Sequence, residues 1–140
     1  MLKFFRVWMV ILGILLGLQF LLAGYGVYGG GSIGDDFELH ILNGRLITVV
    51  TLLGILFAAL ARAGGRLVGL AAILLGMVVL QSVIVLVSTE GTVVGQVIFM
   101  LHVAVGIGMM EVAGKAGGIA KKKLAERSEG AESAVEPAPA

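Results

Sequence analysis

A chain of 140 residues that is 59% hydrophobic and 14% charged fits one domain and carries too few charges to cover a water-exposed globule. Its formal charge of +1 says nothing about partners, because the charges are sorted by position and the net value hides the sorting. With no cysteine, a disulfide framework, a thiolate metal site, covalent haem attachment and a thiol nucleophile are all excluded.

In chain order, Lys3 and Arg6 precede an uncharged run over residues 7–28. The run is too long for the apolar region of a signal peptide and lacks an A-x-A-like cleavage site, so it reads as a retained first span. Gly13, Gly17, Gly24 and Gly26 give it small surfaces for close helix contact, with Gln19 buried among them. Trp8 suits the inner interface, and Tyr25 and Tyr28 the outer one. A glycine-rich acidic loop follows, with Asp35 or Asp36 as the expected cap of a second span over about 39–61. A tight basic turn leads to a third span, 67–88, carrying Gly69, Ala72, Gly76 and Gln81. Ser88 or Thr89 is the expected cap of a fourth span, 93–113, which contains Gln96 and His102.

Residues 1–114 thus form the membrane bundle. Residues 115–140 turn basic and then Ala/Pro-rich, which predicts a frayed helix around 121–127 and disorder beyond it. The two hairpins share their shape and one Gln in each odd span, and no internal repeat is read from that. The expected fold is all-α, an up-down-up-down four-helix bundle integral to the membrane.

Lys3, Arg6, Arg62, Arg66, Lys115, Lys121, Lys122, Lys123 and Arg127 all fall on one side of four spans. The opposite loops hold Asp35, Asp36, Glu38 and Glu90, with no Lys or Arg. This bias predicts a multi-pass protein of the cell inner (plasma) membrane with both termini cytoplasmic.

The second span holds the costliest side chains. At 100° per residue, His40, Asn43, Gly44, Ile47, Thr48, Thr51 and Gly54 share one stripe, small or polar against Leu, Ile, Val and Phe elsewhere. Such a face turns toward protein, since lipid offers a polar group no partner. His40 and His102 are the only two histidines, on alternate spans. An imidazole pair from two helices of a bundle can hold a b-type haem iron with no open position, which favours electron transfer. The alternative makes His40 an interfacial residue and has His102 hydrogen-bond Gln81 or Gln19. Depth bears on the pair: His102 lies roughly 15 Å along its helix from Thr92, whereas His40 lies just below the outer boundary. The two can meet one iron only if the second helix begins above the membrane or the fourth span runs from about 97 to 116, and the sequence permits either frame.

Arg45 has two readings: partner of a haem propionate, a lipid phosphate or a substrate carboxylate, or a side chain snorkelling to Asp35, Asp36 or Glu38. Glu111 is either a proton-coupling carboxylate or an ion pair with Lys115 near the inner interface. Gln19, Asn43, Gln81 and Gln96 suit structural hydrogen bonds between helices. No G-K-[ST] follows the glycine-rich segments, so no phosphate loop is present. The lysines at 121–123 suit anionic headgroups and, without stacking aromatics, not nucleic acid.

The segments LQFLLAG (18–24), FELHILNGR (37–45), LQS (80–82) and MLHVAVG (100–106) resemble those of small, uncharacterised four-span bacterial membrane proteins. More distantly, they resemble the four-helix halves of haem A synthase and other haem-b membrane cytochromes. That second resemblance implies His40 and His102 as ligands of at most one haem b. Three function classes follow: a one-haem electron-transfer or haem-handling protein, a cofactor-free structural or assembly subunit of a larger membrane complex, and a small transporter or channel. Transport is the least favoured, with no broken helix and no paired buried carboxylates. The expected partners are the lipid bilayer and either other membrane proteins or further copies of the chain. A soluble-type hydrolase is disfavoured because no Ser–His–acid set converges and only His102 lies deep.

Overall fold

A computed structural model describes residues 1–29, 36–88 and 91–133, with side chains through 130. Four helices follow one another: α1 (Leu2–Tyr28), α2 (Glu38–Leu60), α3 (Gly65–Val87) and α4 (Val93–Ser133). There is no strand among the described residues. All four are long and apolar enough to cross a membrane, which makes this a multi-pass membrane protein. Large side chains such as Leu21, Leu42, Leu52, Ile73 and Leu101 lie exposed along their outer faces, as a lipid-facing surface requires.

Each helix packs against its neighbours in sequence, and α4 closes the ring against α1; the diagonal pairs α1–α3 and α2–α4 make no close backbone approach. Consecutive helices are antiparallel. Gln19 meets His40 near one end of α1, and Trp8 donates to the Val50 carbonyl (2.8 Å) near the other. Trp8 also meets Phe4 and Phe57, so it is an interhelical side chain as well as a residue near the helix end.

The core shows an internal repeat that the sequence reading missed. Adding 62 to the buried positions Phe5, Met9, Leu12 and Leu16 of α1 gives Leu67, Ala71, Leu74 and Val78, four of the five buried positions of α3. The same shift carries Ile47, Thr51, Gly54 and Ala58 of α2 onto Met109, Ala113, Ala116 and Ala120, all buried in α4. Both hairpins run in the same direction, so a pseudo-two-fold axis runs along the bundle. Identity survives around the polar layer at Leu18/Leu80, Gln19/Gln81, Phe37/Phe99, Leu39/Leu101, His40/His102 and Gly44/Gly106, and along the spans at Ile11/Ile73, Leu12/Leu74, Val50/Val112 and Ala58/Ala120. At most other buried positions one apolar or small residue replaces another. Small residues suffice on α4, where Ala113, Ala116 and Ala120 let neighbouring backbones come close.

The end of the bundle that carries Lys3, Arg6, Arg62, Arg66 and Lys121 is its basic end. There α2 stops in a Schellman turn. The Ala63 N–H reaches the Ala58 carbonyl (3.1 Å) and the Arg62 N–H the Ala59 carbonyl (3.0 Å), with Arg62 itself at φ 47° where glycine is usual. Gly64 follows at φ 90°, and Lys123 of α4 donates to the Ala63 carbonyl (2.6 Å), fastening the turn.

Several local expectations change. The cap of α4 is Thr92, whose hydroxyl accepts from the Gly95 N–H (3.0 Å). Ser88 instead donates back to Ile84, as serine does inside a last helical turn, and Thr89 lies outside the described residues. Phe37 occupies the cap position of α2, and Asp35 lies outside the described residues. The helix does not end with the apolar span at 113 but runs through Ser133, because its Ala, Lys and Glu residues favour helix once the span has nucleated it.

Candidate functional site

Near the end opposite the basic one, all four helices contribute to a polar layer. Its first half is fully bonded. Gln19 donates to the His40 carbonyl (3.0 Å), and His40 Nδ1 lies 3.1 Å from the Gln19 carbonyl. A carbonyl only accepts, so Nδ1 carries the proton and Nε2 keeps its lone pair. Asn43, 6% exposed, donates to the Leu15 carbonyl (2.9 Å) and to Gln19 Oε1 (2.6 Å). Gly44 belongs to this arrangement because a Cβ there would lie 3.3 Å from Gln19 Nε2.

The second half repeats the first with one omission. A Cβ on Gly106 would lie 3.3 Å from Gln81 Nε2 and 3.2 Å from Phe20 Cζ. The counterpart of Asn43, however, is Val105. Gln81 Oε1 therefore lacks the donor that Gln19 Oε1 has, and it is buried without a hydrogen bond. His102 Nδ1 is likewise buried and unpaired: the Gln81 main chain lies beside the ring but completes no hydrogen bond at that atom. Two unsatisfied polar atoms in one buried layer are unusual, since each costs about 1–3 kcal/mol.

Across the diagonal the two imidazoles face each other, ring centres 6.2 Å apart and planes inclined at 43°. Phe99 stacks on His102 at 5.2 Å, and Phe37 meets His40 edge-on at 5.9 Å. The depth problem has a simple resolution: the helices do not start level. His40 lies in the first turn of α2, whereas more than two turns of α4 precede His102.

Other candidates fall away from the layer. Arg45 is exposed on the outward face of α2, with no ion pair among the described residues, so it does not face the imidazoles. Gln96 is exposed and makes no side-chain hydrogen bond among the described residues. Exposed and without such a bond, it does not serve as the interhelical bonding residue expected of it. Thr48 leaves the expected buried stripe, donating to the Gly44 carbonyl from an exposed position. Phe37 was not singled out as a site residue. The signal was available in F-x-L-H-x-x-x-G at 37–44 and again at 99–106, each His 21 residues after its Gln.

Fold and site define a multi-pass helical membrane protein with a histidine pair on the pseudo-two-fold axis of a duplicated hairpin. The chain belongs to a family of unknown function (DUF6220), whose model matches residues 19–90 and so covers Gln19, His40, Asn43 and Gln81. No protein of curated function and no solved structure matches it.

Proposed function

We propose that the protein holds one b-type haem between α2 and α4, with His40 and His102 as the axial pair, and serves electron transfer or haem handling. The observation that carries this reading is the 6.2 Å separation of the two ring centres. An imidazole nitrogen lies about 2 Å from a metal it ligates and roughly 1 Å from its own ring centre, so two rings sharing one metal have centres about 6 Å apart. Among the described residues no group of three or more His, Cys, Asp or Glu could hold a metal ion. A metal held by this pair would take its remaining donors from a ligand such as a porphyrin.

The chain's own residues prepare the pair. The Gln19 carbonyl fixes the His40 tautomer with Nε2 free, the usual arrangement of a metal-binding imidazole. The Gln81 main chain beside the His102 ring, the counterpart of the Gln19 carbonyl beside His40, would give His102 the matching tautomer on closing a hydrogen bond to Nδ1. Phe37 and Phe99 restrict the two rings from opposite sides. When bound with two imidazoles, the group supplies a one-electron couple and no open coordination position. The one-sided basic residues support an inner (plasma) membrane orientation with both termini cytoplasmic.

One observation favours a second reading, a structural or assembly subunit without cofactor. Phe20 and the Gln81 amide crowd Gly106, and a macrocycle needs them to turn aside. Absorption spectroscopy separates the two. Protein purified in detergent from haem-replete cells should show an intense near-ultraviolet band and sharp visible bands on reduction. His40→Ala and His102→Ala should each remove the low-spin spectrum. A colourless wild-type protein would leave the subunit reading.

A further inference from the structure

The duplication provides an internal control for the outward faces. On α2, Val49, Leu52 and Leu56 are exposed (54%, 56% and 49%), as lipid-facing positions should be. The same positions 62 residues on are Glu111, Gly114 and Gly118, and Leu53 becomes Lys115. The fold therefore does not ask for a carboxylate, an ammonium and two glycines there; its other copy is built without them.

These residues also sit deep. Lys123 marks the level of the α2–α3 turn through its bond to the Ala63 carbonyl. Glu111 lies 12 residues further in, about 18 Å along the helix, which reaches the middle of a hydrocarbon core about 30 Å thick when the turn sits at its edge. Glu111 and Lys115 form an i,i+4 ion pair (2.5 Å) with side chains 66% and 62% exposed. Lys115 bends toward Glu111 and the membrane centre, the reverse of snorkelling toward the basic end. A charged pair held at that depth against lipid is costly, and such groups are normally covered by protein.

We infer that this face of α4, centred on Glu111, Gly114, Lys115 and Gly118, is covered by the same face of a second copy of the chain. Two copies in one membrane share a direction, so their α4 helices cross in parallel. Gly114 and Gly118 have nothing within 4 Å of an added Cβ, and at a four-residue spacing they allow backbones to come close. The charges are self-complementary: each copy brings one carboxylate and one ammonium, a turn apart, to meet their opposites. A groove of about 350 Å³ beside the stripe, lined by Val10, Gly13 and Met110 among others, has room for a side chain from the neighbour.

The chain has no cysteine, so single cysteines test the surface in native membranes. Gly114→Cys should form a disulfide-linked dimer on mild oxidation, severalfold more than Leu52→Cys at the equivalent place on α2. In lipid nanodiscs the wild-type chain should have twice the monomer mass, and Gly118→Ile should halve it. Glu111→Lys and Lys115→Glu, carrying different tags, should each fail to self-associate yet associate with each other when co-expressed. A monomeric wild-type chain overturns the inference, as does equal cross-linking at 114 and 52. Failure of the two charge variants to associate with each other, while each is inserted normally, also overturns it. None of these readouts depends on a bound cofactor.

Discussion

Asn43→Val would give the first hairpin the residue that the second carries at Val105, and the structure sets its cost. The substitution removes the donors to the Leu15 carbonyl and to Gln19 Oε1. Side-chain hydrogen bonds between membrane helices average about 0.6 kcal/mol and reach about 1.7, so losing two costs about 1–2 kcal/mol. Gln19 keeps its bond to the His40 carbonyl, so its oxygen stays in place, buried and unpaired as Gln81 Oε1 is now. Unfolding measured by steric trapping in bicelles should show this loss. In a double-mutant cycle with Gln19→Leu, the two changes should be less than additive by about 0.6 kcal/mol or more, because they share a bond. The reverse change, Val105→Asn, should raise stability by a comparable amount by giving Gln81 Oε1 its missing donor. A neutral Asn43→Val, or strict additivity with Gln19→Leu, would refute the claim that this bond distinguishes the two halves.

Gly64→Ala should cost about 1–3 kcal/mol in the same assay, since φ 90° with ψ 155° is a conformation almost confined to glycine. An added Cβ would also lie 3.0 Å from Lys123 Nζ. Trp8→Phe should keep the ring contact with Phe57 but lose the bond to the Val50 carbonyl, costing about 1 kcal/mol in the same measurement. Cysteines at Thr92 and Ser128 should differ in labelling by a membrane-impermeant thiol reagent on intact cells, the first reacting and the second protected. The opposite pattern would reverse the orientation.

The four spans were legible because hydrocarbon imposes a coarse demand: about twenty apolar residues, interrupted by turns. Helix starts agree within a few residues except at α1, where Lys3 and Arg6 lie inside the helix because a helix does not stop where the membrane does. The polar stripe of α2 was legible too, for Asn43 and Thr51 cost too much in lipid to face it. The repeat shows in the sequence only at the two F-x-L-H-x-x-x-G segments, the glutamines before them and a few scattered identities; elsewhere it lives in burial. Met9 matches Ala71 and Thr51 matches Ala113, pairs that look unrelated until both are seen pointing inward. Whether His40 meets His102 was left open by the sequence, because apolar runs alone do not say at what depth each helix starts. The place of the Glu111–Lys115 pair depended on how far α4 continues, and helix propensity alone does not say where an apolar span leaves the bilayer.

That continuity has a mechanical side. His102 and Lys123 ride on one uninterrupted helix, about 31 Å apart along its axis. Lys123 is tethered to the turn at Ala63, and between it and His102 the buried Met109, Ala113, Ala116 and Ala120 hold α4 against its neighbours. The basic turn and the histidine layer are therefore seated by one continuous rod, and the height of His102 is set by packing along that whole length rather than by the local contacts of the ring.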